Sequence, residues 1–289
     1  MSALRNSTML QLCRNTRWPR SLLNGCARRR WNSSTSTAPL DGPAQTETNK
    51  AELTMKRFWK DVGIEKRGNN LVVTLDKRAV KTPEGNTLLL EPDQKLLAAL
   101  VATEWDNQEK IIKPFALPIT SLISRTIDNF SEETTRQGVE KTLLNFLDTD
   151  TVCFFHDQPE PLERLQTKYW VPLLDWTRET FGVELKVSNS ILSVKQPQAT
   201  KDKIEKVLSS LDVWELAALE RAALTTKSLI IALALVKKHL SVEEAARVAS
   251  VEVDSQIERW GEVEDTHDVD YQDVRRQLGS ASLLLSRQS

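Results

Sequence analysis

The densest collection of potential ligand groups in this chain is the run Glu258-Arg259-Trp260-Gly261-Glu262-Val263-Glu264-Asp265-Thr266-His267-Asp268-Val269-Asp270. It packs Glu262, Glu264, Asp265, His267, Asp268 and Asp270 into nine positions. Oxygen-rich clusters hold magnesium, manganese or calcium, so a metal-dependent hydrolase is one chemistry to weigh. The spacing is not that of an EF-hand, which needs a glycine at the loop centre and a glutamate at the twelfth position. A solvated acidic helix junction accounts for the same residues, and aspartates suit the first turn of a following helix, where the dipole is positive. Cys153 and His156 could pair as nucleophile and base, but Phe154 and Phe155 beside them describe an apolar setting that raises a thiol pKa and leaves it inert. Gly63 and Gly68 have P-loop spacing, yet Asn69 and Asn70 stand where Lys and Ser/Thr would hold phosphate and magnesium. No other two of the nine glycines lie as close, which excludes a Gly-x-Gly dinucleotide turn and a Gly-x-Ser-x-Gly elbow. Three scattered histidines and three cysteines without a Cys-x-x-Cys pair exclude zinc fingers, zincins and a disulfide framework.

The charge is distributed in two parts. Residues 1–40 hold seven arginines and no acid; the rest of the 289-residue chain has the remaining 32 of 39 basic groups against 40 acidic ones, a net of -8. Six tryptophans outside the first segment could stack bases, but at that charge the phosphate attraction that nucleic-acid binding needs is missing. Residues 1–34, rich in Arg, Ser and Thr and free of acid, read as a mitochondrial transit peptide, with arginines interrupting every stretch that a secretory signal would keep apolar. Cleavage is expected near Arg29 to Ser34. Residues 35–50 read as a disordered linker, and loss of the leader removes Cys13 and Cys26, leaving Cys153. The longest apolar run, Leu229 to Val236, is far short of the roughly 20 residues a membrane span needs. Hydrophobic content of 40% and a mean hydropathy of -0.38 describe a chain able to bury a core.

From residue 56 the elements follow. Phe58 to Lys66, Leu71 to Asp76, Ala79 to Lys81 and Thr87 to Leu90 are short, partly alternating runs broken by turn residues, with Gly68-Asn69-Asn70 placed to make a hairpin. Pro92-Asp93 opens a helix over 93–109 whose stripe includes Leu97, Val101 and Trp105. Beyond Pro118 the pattern is helical over 119–130, 132–147, 159–181, 200–210, 213–237, 241–260 and 268–286. The fold class is therefore α+β: a small N-terminal α+β domain over 51–113, with short antiparallel strands and a helix, and a larger all-α domain over 114–289.

The helix at 241–260 is the most informative. Ser241 and Glu244 form a capping box, and Val242, Ala246, Ala249, Val253, Ile257 and Trp260 fall at helical spacing as a core-facing stripe. Glu252 is then on the shoulder of that stripe, partly desolvated and in need of a partner. The pattern alone favours an internal pair with Arg or Lys over an anchor for another protein.

Several segments together resemble a known family. They are Arg57-Phe58-Trp59-Lys60, Leu75-Asp76-Lys77-Arg78 with Lys81-Thr82-Pro83, Glu104-Trp105-Asp106-Asn107-Gln108, and Pro118-Ile119-Thr120-Ser121-Leu122 with Asp128. Asp148-Thr149-Asp150-Thr151, Trp170 with Pro172 to Trp176, Lys227-Ser228-Leu229 and Gln256 to Asp268 follow in order. From about Lys56 to Leu285 the chain is similar to the mitochondrial F1-ATP synthase assembly chaperones that hold the alpha subunit. The resemblance implies a monomeric matrix protein that is not an enzyme and has no cofactor or metal. It would shield unassembled alpha subunit until beta subunit replaces it. It singles out Trp105 and Glu252, and with them Gln256, Trp260, Glu262 and Asp268, as client-binding or functionally critical. Lys77 stands where relatives often have glycine, and Val253 where a second acid often follows the first.

Overall fold

The computed structural model describes residues 56–190 and 195–287; the leader and linker assigned to residues 1–50 lie outside the described residues. Strand β1 (Val62–Arg67) turns back through Gly68 and Asn69 to pair antiparallel with β2 (Asn70–Leu75), Val62 opposite Leu75 and Arg67 opposite Asn70. Gly68 supplies the positive φ, 63°, at the first turn position. The next turn, Asp76-Lys77, has φ of 47° and 69°, both in the left-handed region that favours glycine, as a type I′ hairpin requires. It leads into β3 (Arg78–Ala79), while β4 (Leu89–Leu90) pairs with the other end of the same β2 edge. Asp76 steadies the strained turn by accepting from the Asp61 amide at 2.9 Å and the Lys60 amide at 3.0 Å. These two bonds hold its carboxyl below the ordinary aspartate value.

Helix α1 (Lys95–Asp106) covers the sheet, burying Leu97, Ala98 and Val101. The helical part then runs α2 (Pro118–Asn129), α3 (Glu133–Phe146), α4 (Glu160–Phe181), α5 (Gln198–Ser210) and α6 (Val213–Thr226). It continues through α7 (Leu229–Val236), α8 (Val242–Ala249), α9 (Val251–Trp260) and α10 (Thr266–Leu284). All eight residues of α7 are buried, with α6, α8 and α4 packed around it. A continuous core of buried side chains extends from Trp59 to Leu284. Short antiparallel strands followed by a helical bulk are the expected α+β class.

Two expected helices are interrupted. The stretch 213–237 breaks where Lys227 takes φ 56°, and Ser228 restarts the chain as α7 by accepting from the Ile231 amide at 3.0 Å. The break is fixed from outside, since the buried Asp150 carboxylate accepts from the Ile230 amide at 3.1 Å and from its own neighbour Val152. The stretch 241–260 breaks at Ser250, where α8 ends and α9 begins on a new phase. The Val248 carbonyl, near the end of α8, instead takes the indole N–H of the fully buried Trp170 on α4, at 3.0 Å.

That new phase overturns the expected stripe. Ala245, Ala246, Val248, Val251 and Ser255 face inward, while Val253 and Trp260 face out. Glu252 is exposed, and among the described residues its side chain makes no hydrogen bond or ion pair. The expectation of a desolvated, paired carboxylate fails for the same reason: the helical phase changes at Ser250. The capping box survives, with Ser241 and Glu244 bonding reciprocally.

Candidate functional site

Many of the family-like segments act as braces. Pro118 leaves the start of α2 without a local side-chain cap, and Glu104 on α1 supplies one, accepting from Ile119 N at 2.7 Å, Thr120 N at 2.9 Å and Thr120 Oγ1 at 2.6 Å. Burial raises the Glu104 pKa, and the bonds from Thr120 and Ile119 offset only part of that rise. Gln108 continues the brace, donating to the Glu104 carbonyl and accepting from Lys113 N at 2.7 Å. The Arg57 guanidinium ties the first strand region to the end of α1 through the Asp106 and Gln108 carbonyls. Asp128 gathers the Thr82–Asn86 loop through Thr82 Oγ1, Asn86 Nδ2 and Glu84 N. Burial would raise its pKa, but those bonds outweigh burial and lower it. Cys153 is buried, and burial pushes its thiol far up, with the nearby Asp150 adding to the rise; it is core.

What the braces leave outward is the junction of α9 and α10. Residues 251–271 carry eight carboxylates against one arginine. Glu258 is engaged by Arg164 of α4 at 2.6 Å, and half-buried Asp254 has a pKa raised by burial first. Glu252, Glu262, Glu264, Asp265, Asp268 and Asp270 are exposed, and their carboxylates have no partner among the described residues. Among them stand exposed apolar side chains: Trp260 at 71% exposure, with the Arg259 guanidinium 4.7 Å from its ring centre, and Val253, Val263, Val269 and Tyr271. Two ion pairs tie this surface to neighbouring helices. Arg164 fixes α9 to α4, and Arg275 clamps the Glu243 carboxylate to join α10 to α8.

An indole exposed to this degree, in a segment whose exposed carboxylates are unpaired among the described residues, is not a packing anchor; it suits a partner with apolar and cationic groups. No three of the described His, Cys, Asp and Glu side chains are grouped so as to share an ion. His267 instead accepts from Val263 N at 3.0 Å, shaping the α9–α10 turn.

Of the six residues singled out from sequence, Glu252, Gln256, Trp260, Glu262 and Asp268 lie on α9, α10 or the turn between them. Trp105 does not join them. It is half-buried on α1, packed edge-on against buried Trp59 with ring centres 5.1 Å apart, and it lines a cleft that none of the other five enters. Sequence reasoning missed Asp254, Val269 and Phe115. Phe115 carried a signal, since Pro114 and Pro118 frame it in a connection too short to bury its ring; it is 70% exposed.

Comparison with known proteins adds four findings. The family model described as ATP12 chaperone protein matches residues 56–178. The chain is 33% identical over 261 residues to the mitochondrial protein atp12 of Schizosaccharomyces pombe, covering 87% of this chain and 86% of that one. It is 31% identical over 292 residues to the mitochondrial protein ATP12 of Saccharomyces cerevisiae, covering 86% and 89%. The crystal structure of Atp12 from Paracoccus denitrificans superposes with a TM-score of 0.69 at 27% identity, over 81% of this chain and 98% of that one.

Proposed function

The chain belongs to the ATP12 chaperone family, and we propose on that basis that it is an assembly chaperone of the mitochondrial F1-ATPase. It acts in the matrix as a monomer, reached by way of a transit peptide in residues 1–34. Its client is the unassembled alpha subunit. A subunit of an alternating ring presents apolar interfaces meant for its neighbours, and alone it self-associates through them. Covering such a face needs complementary surface and no catalysis. It also needs an affinity below that of the beta subunit, so that replacement runs downhill.

The observation that supports this reading is the outward Trp260 among unpartnered carboxylates. Glu252, Gln256, Trp260, Glu262 and Asp268 meet the client, the indole contributing buried area and the acids drawing a basic interface. Trp105 acts instead by packing α1 against Trp59, in the segment ahead of β1. No helix among the described residues is long and apolar enough to cross a membrane. The test is light scattering from denatured F1 alpha and beta subunits diluted with the chain. Protection of alpha and not of beta is expected; equal protection of both, or none, sinks the client assignment.

A further inference from the structure

Between α1 and α10 lies an apolar groove of about 830 Å³, within the range of roughly 300–1,000 Å³ typical of ligand sites. Leu100 and Ile119 line its depth, and the exposed Phe115 and Val269 stand at its rim. Most of its polar groups are already spent. The Glu104 carboxylate caps α2, and Gln108 braces the chain on both sides. Arg276 holds Asp273 with one nitrogen and the Phe115 carbonyl with another. Three polar side chains remain uncommitted among the described residues: Asn107, Gln272 and Asp268.

That remainder is specific in kind. Asn107 and Gln272 can each offer an amide donor and acceptor, the pairing a peptide backbone needs. Asp268 offers one anion, backed by Glu264, Asp265 and Asp270 close by in sequence. A small polar metabolite would find few convergent partners, and an anionic one would be repelled. We infer that the groove between α1 and α10 takes a short peptide segment of the client, with apolar side chains seated between Phe115 and Val269 and a lysine or arginine against Asp268. The inference deepens the client-binding reading and rests on it for the identity of the client, but the chemistry of the groove can be tested separately.

The probe is a fluorescein-labelled octapeptide of alternating leucine and arginine, titrated with the full chain and followed by anisotropy. A leucine–glutamate octapeptide is the comparator. The leucine–arginine peptide is expected to bind at least about tenfold more tightly than the comparator. Thr103→Trp fills the groove from an exposed position of α1, and Val269→Trp narrows it from α10; each is expected to weaken that peptide by about tenfold while leaving the melting temperature unchanged. Asp268→Lys should weaken it similarly. Equal affinity for both peptides, or filled variants that bind like the parent, would overturn the inference. So would self-association of the parent that Thr103→Trp abolishes, because the groove would then belong to a second copy. If the peptide binds as expected while alpha subunit goes unprotected, the groove stands and the client assignment falls.

Discussion

Replacing Asp150 by Asn tests how the helical bulk is pinned together. This carboxylate is fully buried and sits where the short turn Thr151–Cys153 meets the start of α7. Burial raises its pKa from an ordinary 3.8 to about 6; bonds from Ser228, Ile230, Val152 and Leu229 offset only part of that rise. The folded state therefore holds the proton more tightly than the unfolded chain does. The stabilisation from that proton is complete below pH 3.8 and disappears as pH rises through about 6. The gap converts to about 3 kcal/mol in all, and to roughly 2 to 3 kcal/mol between pH 4 and pH 7.5. Asn has no proton to lose over this range, but it turns an amide donor toward the backbone donors, so Asp150→Asn is also destabilised at every pH by about 1 to 3 kcal/mol. Urea unfolding of parent and variant at pH values across this window measures both effects. The parent's advantage should shrink as pH rises, with the m-value constant. Parallel stability curves would refute the argument, because they would mean that Asp150 does not change its protonation in the folded protein.

Other substitutions separate fold from binding. Glu252→Gln, at an exposed and unpartnered site, should alter stability by less than about 0.5 kcal/mol and weaken alpha-subunit binding by about 2 kcal/mol or more; denaturant unfolding beside client affinity decides it, and equal losses would make Glu252 an internal brace. Trp105→Arg places a charge against Trp59 and should destabilise by at least about 3 kcal/mol, read as thermal melting; a variant that melts like the parent but loses the client would move Trp105 to the interface. Glu104→Ala frees the start of α2 and should cost about 2 kcal/mol in urea unfolding, a figure contradicted by any loss under 0.5 kcal/mol. Lys77→Gly relieves a left-handed backbone and should stabilise by about 1 kcal/mol, with a raised denaturation midpoint as the readout.

The strands, the Gly68 hairpin and the helix ends beyond Pro118 were legible because their signals are local: a turn residue, a cap, a period. The break at Lys227 was not, since lysine has no preference for a positive φ and the constraint comes from Asp150, some eighty residues earlier in sequence. At Ser250 the signal is present but weak, a serine within a continuous amphipathic pattern, and an unbroken period places the large apolar side chains beyond it inward. Small residues, Ala245, Ala246 and Ser255, fill the real contact face, where α8 and α9 approach their neighbours closely. The acidic character of residues 251–271 was plain in the sequence. That Trp260 stands among those acids as surface, while Trp105 lies in another cleft, depends on packing that periodicity does not encode.

Because α7 has no solvated face, no local fluctuation can bring its amides to water while its neighbours stay in place. Hydrogen exchange at Ile231 or Leu233 must wait for the whole helical assembly to come apart. Those amides therefore serve as an internal gauge of global opening. Any ligand that slows their exchange is recognising the intact fold, and one that leaves their rate unchanged is not stabilising it.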